Sequence, residues 1–516
     1  MTIGKTLRGM AATLAMAGGL LAMAGPADAG WLRAESQRFI VYSDGSERPL
    51  RDFVQKLESY DRLLRFRSGL DPEAAPDRKL PIYLVRDRRG LSRVAPGIGD
   101  GVGGFYTPSD EDIYAIAVNE TTTARGRSPQ ALSGETILLH EYAHHFMLGN
   151  FGRLYPAWFI EGFADFYGNT DIEAEITYIG RHSNNRMAWL REGSWIDMEE
   201  FLANPMWKVN RYRAGTYYPI AWLLTHWFMS DTARTAQLAE YLRLYGDGMG
   251  SVEAMQQATG LTPQQLQAQL RSYSRGALNY TGLPIRWPEA QISITRMPES
   301  ADDLLLLGQR LARDKLPEAQ AADTLAQVRR LAAKYPDDGL ALLTLGHVEA
   351  DYGDKAAAET ALNRLLEIEP GNVRALQLLA SIRMAKAAEE GADKPALMGQ
   401  ARAYLGRAYR LDDANYTTFL MLARSREGAE GYPNENDLAT WELAQQLAPQ
   451  LPSARLGYAS ALIAVDQKDQ AVDLLQPLAN NPHDRKNAHA ARVLIARARG
   501  EPEPPAEEDG EEDEDS

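Results

Sequence analysis

The chain contains no cysteine in 516 residues, which excludes a disulfide framework, a thiolate metal site and a cysteine nucleophile. Without a cysteine after the N-terminal apolar run, a lipoprotein anchor at that point is excluded as well. Clustered basic residues are also missing. The formal charge is -15, but ten of those fifteen negative charges fall in Glu501–Ser516, a segment with no base. The weakly acidic body that remains gives no support for nucleic acid or an anionic membrane as partner, since both require grouped Lys and Arg. The apolar run Met10–Ala24 is interrupted by Gly18 and Gly19, and its length of about 15 residues falls short of the ~20 that span a bilayer.

That run has a different reading. Lys5 and Arg8 precede it and the small-x-small triplet Ala27-Asp28-Ala29 closes it, the pattern of an export signal cleaved near Ala29. The mature chain is then expected to begin near Gly30 and to be soluble in the periplasm or outside the cell, with no membrane span after cleavage.

A length of 516 residues is too great for one core and implies two or three domains. From Trp31 to about Leu283 the apolar period alternates between strand and helix. Arg38–Tyr42 is β-branched and aromatic, and Leu50, Phe53, Val54, Leu57, Tyr60 and Leu64 then recur at helical spacing. Leu80–Val85 and Ile113–Val118 are further strand candidates, and helices dominate after Ser133. The expected class is α+β, with a small mixed sheet followed by helices over residues 30–285.

From Ser300 the composition turns helical and rich in Ala and Leu. Between Gly339 and Asn372, the positions of Leu345-Gly346, Ala358, Leu362, Leu365 and Pro370 resemble the tetratricopeptide repeat, a pair of antiparallel helices with small residues at their crossing. Weaker copies include Ala401, Leu405 and Ala408; Ala444 with Pro449; and Ala471, Leu475 and Leu478 with Pro482. About four units are expected over residues 300–499, forming an all-α solenoid in which each unit buries its apolar face on its neighbours. An ordinary helical bundle is the competing reading. The acidic tail, 500–516, has the composition of a disordered segment.

The sharpest local signal is His140-Glu141-Tyr142-Ala143-His144. With eight histidines in the chain, roughly 0.02 such His-Glu-x-x-His matches arise by chance. Residues four apart share a helix face, so His140 and His144 can offer imidazole nitrogens to one divalent ion. Glu141, turned about 100° away, can stand beside the ion without ligating it. A second helix is expected from Pro156, apolar nearly all round, with Glu161 and Asp165 as its only charges. Buried carboxylates need cations or donors. A zinc ion with its histidines would meet that need, with Glu161 as third ligand and Asp165 accepting the free ring N–H of a ligand histidine, His140 in particular.

These two segments, His140–His144 and Trp158–Asp165, resemble the gluzincin metallopeptidases, the group that includes thermolysin and the alanyl-type aminopeptidases. Closer still is the similarity to bacterial peptidase-MA-like envelope proteins, through the strand-helix opening Arg38–Phe66 and Gly104-Phe105-Tyr106. The resemblance covers roughly residues 31–230 and implies a thermolysin-like zincin domain binding one Zn²⁺ through His140, His144 and Glu161. It further implies a zinc-bound water, Glu141 as general base and a separate donor for the oxyanion. Relatives place a tyrosine at that donor position. Here Tyr218-Pro219-Ile220-Ala221-Trp222 fits best, Tyr212-Arg213-Ala214-Gly215 also fits, Tyr217 is adjacent, and His226 could act as a thermolysin-like donor; packing is the competing role for all of them. The family also holds peptide substrate against an edge strand, a role open to Ile113–Val118.

The aminopeptidase pattern Gly-x-Met-Glu-Asn is absent, which favours an endopeptidase or a narrow processing enzyme. Gly99–Gly104 formally satisfies G-x-G-x-x-G, but no helix is expected after it, so a loop beside the cleft is the better reading. His145 is expected to pack or hydrogen-bond, and Trp189, Trp195 and Trp207 to pack or line a pocket. The functional expectation is an exported zinc metallopeptidase whose repeats recruit substrate or a protein partner. The alternatives are a catalytically silent envelope scaffold and a zinc amidase acting on cell-wall peptides.

Overall fold

In Phe39–Ser43, Phe39, Val41 and Ser43 are buried while Ile40 and Tyr42 are partly exposed, the two-residue period of a strand with one face on a core. The computed structural model describes residues 30–99, 102–119, 134–182, 184–481 and 484–505. The export signal, the expected helix start at Ser133, Pro482 and most of the acidic tail lie outside them. Nine strands are found among the described residues: β1 (Leu32–Glu35), β2 (Phe39–Ser43), β3 (Leu80–Val85), β4 (Gly104–Pro108), β5 (Ile113–Val118), β6 (Asp171–Ile172), β7 (Thr177–Ile179), β8 (Thr281–Leu283) and β9 (Ser293–Arg296). Six of them form one mixed sheet in the order β4-β5-β3-β2-β1-β9, with β2, β3 and β5 parallel and the other pairings antiparallel. The other three make a small antiparallel sheet, β6-β7-β8.

Ten α-helices among the described residues accompany these strands: α1 (Glu47–Arg67), α2 (Arg88–Val94), α3 (Gly134–Asn150), α4 (Ala157–Gly168), α5 (Asn184–Glu192), α6 (Met198–Ala203), α7 (Tyr217–Met229), α8 (Thr232–Gly246), α9 (Ser251–Thr259) and α10 (Pro263–Tyr273). Helices α1 and α3 cover one face of the large sheet, against Phe39, Val41, Ile82, Leu84, Ala115 and Ala117. Every residue of β5 is buried, because Ile113, Ala115 and Ala117 face the α1 and α3 layer while Tyr114, Ile116 and Val118 face the opposite core; along its outer side β4 pairs from Gly104↔Ala117 to Pro108↔Ile113. Among the described residues the edge strands of the sheet are β4 and β9, and Ile113–Val118 is internal.

Eleven further helices follow: α11 (Ser300–Arg313), α12 (Glu318–Ala332), α13 (Gly339–Tyr352), α14 (Lys355–Ile368), α15 (Val373–Ala387), α16 (Lys394–Leu411), α17 (Tyr416–Arg424), α18 (Glu435–Leu447), α19 (Pro452–Ala464), α20 (Lys468–Ala479) and α21 (Arg485–Arg499). They pair in order as five hairpins, with α21 packed on the last. In the second hairpin a Cβ at Gly346 would stand 2.6 Å from Leu362, so the small residue is what lets α13 and α14 cross closely. The first hairpin, α11–α12, adds a unit to the four expected from sequence. Its α11 packs Ala301, Leu305 and Leu306 against Val85, Leu91, Val94, Tyr114 and Ile116, covering the second face of the sheet together with α2. Its apolar pattern answers to the sheet as well as to a neighbouring repeat, and so departs from the repeat signature. Among the described residues, no helix is long and apolar enough to cross a membrane.

Candidate metal centre

Helix α3 buries Leu138, Leu139, Tyr142, Ala143, Phe146 and Met147 and turns His140 and His144 toward α4. Tyr142 fixes the rotation of α3: its hydroxyl donates to Asp61 Oδ1 at 2.7 Å. Asp61 is itself held by Arg38, Nε to Oδ2 2.6 Å, and by Arg65 at 2.8 Å. Arg38 also meets Glu58 at 2.6 Å, with both side chains almost fully buried. Buried charges of this kind persist only where each has a partner, and here the partners tie β2, α1 and α3 into one frame.

Two glycines of α4 set how closely it approaches the other helices. A Cβ at Gly162 would lie 2.2 Å from Thr225 Oγ1 and 2.5 Å from the Ala221 carbonyl oxygen, so α4 crosses α7 there. A Cβ at Gly168 would lie 3.2 Å from the backbone of His140.

The result is a triangle of donor atoms. His140 Nε2 and His144 Nε2 are 3.1 Å apart, and Glu161 Oε2 stands 3.7 Å from the first and 3.4 Å from the second. Ligand atoms bound ~2.0–2.1 Å from a tetrahedral ion are separated by about 3.3 Å, so the three sides match one zinc ion. The far nitrogen of His140, Nδ1, meets Asp165 Oδ1 at 3.0 Å, which orients the imidazole so that Nε2 faces the other two donors. Burial lowers the His140 pKa, but Asp165, with Glu141 and Glu161, outweighs that and raises it above the ordinary histidine value. The carboxylates around His140 therefore favour positive charge at its imidazole. The residue types, spacing and field all fit zinc.

Sequence reasoning missed Arg186 on α5. Its guanidinium meets both oxygens of Asp165, Nε to Oδ2 and Nη2 to Oδ1, each at 2.8 Å. Burial raises the Asp165 pKa, and Arg186 with His140 more than reverses this, holding the group below the usual aspartate value. A carboxylate in so apolar a helix calls for cations, but nothing in Asn184–Glu192 marks which arginine supplies one.

The tyrosine candidates separate cleanly. Tyr218 lies beside the triangle, its ring 6.4 Å from that of His140 and 5.0 Å beneath the Arg186 guanidinium. Burial first, and then Glu161, Asp165 and Glu141, raise its pKa well above 10 against the pull of Arg186, so it stays a proton donor. Tyr217 is fully buried and donates to the Asn204 carbonyl at 3.1 Å. Tyr212 is 82% exposed, with its side chain against the neighbouring Arg211. His226 is buried with both ring nitrogens engaged, Nε2 with the Asn279 carbonyl at 3.1 Å and Nδ1 with Tyr273 at 2.9 Å; its pKa is pushed down to about 4, chiefly by burial. It is a satisfied core histidine. His145 hydrogen-bonds Tyr106 of β4 through Nδ1 at 3.0 Å.

Of the remaining candidates, Trp207 borders a cavity of about 520 Å³ between α6, α9 and α20. Trp195 borders another of about 470 Å³ by α5 and α10, and Trp189 is exposed. Strand β4, not a helix, follows the Gly99–Gly104 pattern, of which Asp100 and Gly101 lie outside the described residues.

No protein-family model and no curated protein matches the chain. Among solved structures, TTC0263, a thermophilic TPR protein in Thermus thermophilus, is similar at 19% identity and TM-score 0.32, over 39% of this chain and 98% of its own. MamA is similar at 16% identity and TM-score 0.26, over 32% of this chain and 90% of its own. Likeness at those scores carries no argument, and the repeat architecture rests on the helix pairs themselves.

Proposed function

We propose that this chain is an exported zinc-dependent metallopeptidase with a thermolysin-like catalytic domain and tetratricopeptide-like repeats. The observation that carries the reading is the His140–His144–Glu161 triangle, with Asp165 behind His140. When bound, zinc supplies a Lewis acid and a water whose pKa falls toward ~7. Glu141, partly exposed beside the triangle, accepts the proton of the attacking water and returns it to the leaving amine. Tyr218, kept protonated, donates to the oxyanion that forms at the scissile carbonyl. A third ligand from a second helix supports the gluzincin class, and β4, an edge strand joined to the metal helix through Tyr106 and His145, is suited to main-chain pairing with an extended peptide.

A structural zinc site has no use for a general base, so Glu141 also separates this reading from a silent scaffold. The test is zinc stoichiometry of the wild type and Glu141→Gln, followed by cleavage of a broad peptide library by each. One zinc per chain in both, with hydrolysis by the wild type alone, is the expected result. Zinc in both with no hydrolysis by either supports the scaffold. Failure to take up any transition metal overturns the metalloenzyme class.

A further inference from the structure

The turn between β4 and β5, Ser109-Asp110-Glu111-Asp112, is gripped by the repeats. The first helix of each of the five hairpins reaches it. From α11, Gln309 donates to Asp112 Oδ2 at 3.1 Å and the Ala312 carbonyl accepts from Ser109 Oγ at 2.7 Å. From α13, His347 Nε2 lies 3.1 Å from Glu111 Oε2, and from α15, Arg374 ion-pairs the same oxygen. From α17, Tyr416 donates to the Ser109 carbonyl at 2.8 Å, Thr417 to the Asp110 carbonyl at 3.0 Å, and Arg424 pairs with Asp110 Oδ2 at 2.7 Å. From α19, Ser453 donates to Asp110 Oδ1. The first helices of five successive hairpins can meet four residues only if the face they share curves round them.

The chemistry of that face is complementary to its occupant. Three carboxylates of the turn meet Arg374, Arg424, His347, Gln309 and Ser453, and its backbone carbonyls meet Tyr416 and Thr417. Glu111 shows the strength of the grip: burial raises its pKa, yet Arg374 and His347 bring it down to about 2. Glu111, His347 and Asp351 are also a set of metal-ligand types brought close together, but Arg374 already supplies a cation at the Glu111 oxygen that an ion would need.

We propose that the repeat array is a receptor for an acidic turn and that its resident ligand is the chain's own Ser109–Asp112, so that the array clamps edge strand β4 instead of presenting that face to outside partners. The clamp reaches the metal helix through Tyr106 on β4, whose hydroxyl meets His145 at 3.0 Å, one residue beyond His144. The inference is independent of whether the site hydrolyses peptides.

Two measurements on the full chain test it. In hydrogen–deuterium exchange, Glu111→Lys and Arg374→Glu should each speed exchange of the Gly104–Val118 amides by about tenfold or more, with α7 and α8 unchanged. The double exchange Glu111→Lys with Arg374→Glu should restore protection. Unaltered protection in both single variants overturns the clamp. The second measurement adds a synthetic peptide of residues 107–114 to the wild type and to Asp110→Ala with Glu111→Ala. A resident ligand lowers apparent affinity by the fraction of time the face is free, so the variant should bind about tenfold or more tightly than the wild type. Equal binding to both, or no binding to either, overturns the proposal.

Discussion

Gly168 passes the backbone of His140 so closely that a Cβ at position 168 would lie 3.2 Å from the His140 N, Cα and Cβ atoms. Those atoms belong to the helix that carries two of the three proposed ligands, and they cannot swing aside as the tip of a long side chain can. Gly168→Val should therefore push α4 from α3 and widen the His140–Glu161 separation. Zinc affinity is expected to fall about 10- to 100-fold, read by competition with a chromophoric chelator, while far-ultraviolet circular dichroism stays near that of the wild type. Unchanged affinity would show that the triangle tolerates movement of its helices.

Arg186 and Asp165 form a buried pair whose other arm is His140. Replacing Arg186 with Met leaves the Asp165 carboxylate with one cationic partner fewer, and removing one member of a buried pair costs about 3–5 kcal/mol. The denaturation midpoint of the zinc-free protein should drop accordingly. If Arg186 is only a stability element, zinc affinity will be untouched. If it orients Asp165 for His140, affinity falls together with stability, and Arg186→Lys recovers part of each.

Two adjacent tyrosines offer an internal control for catalysis. Tyr218→Phe removes the donor beside the triangle and should lower kcat by about 10²- to 10³-fold with zinc content intact. Tyr217→Phe removes a hydrogen bond to the Asn204 carbonyl and should cost about 1 kcal/mol of stability with kcat preserved. Reversal of that pattern would move the donor role to Tyr217.

Local periodicity explains which of these features could be read from sequence. His140 and His144 share a face because of helical geometry alone, and Glu161 with Asp165 stood out as charges in an apolar helix. Strand pairing leaves no such mark. β9 is mostly exposed and joins β1 through its main chain, from Leu32↔Arg296 to Glu35↔Ser293, so its side chains show no buried alternation. β4 also lacks alternation, with Gly104 buried and Phe105–Pro108 partly buried, and its pairing makes Ile113–Val118 an internal strand. Arg186 and the grip on Ser109–Asp112 are partnerships across long sequence separation, with no periodic signal at either end. The resemblance puts Tyr218 ahead of Tyr212, but its position beside His140 depends on how α7 packs against α4 at Gly162.

His347 supplies a pH-dependent contribution to the clamp. Burial lowers its pKa, but Glu111 and Asp351 prevail over that and over the repulsion of Arg374, so the folded-state value is raised above 6.5. A raised value means that the folded protein holds the proton more tightly than the unfolded chain does. The stabilisation is therefore fully present below about pH 6.5 and is lost as pH rises through the folded-state pKa. Urea midpoints measured from pH 6 to 9 should decline more steeply in the wild type than in His347→Gln, whose neutral side chain cannot titrate. Arg374 keeps its hold on Glu111, so the decline should be partial, and protection at β4, referred to the intrinsic exchange rate at each pH, should fall over the same range without reaching the level of Arg374→Glu. Parallel slopes in the two proteins would show that the proton on His347 does not contribute.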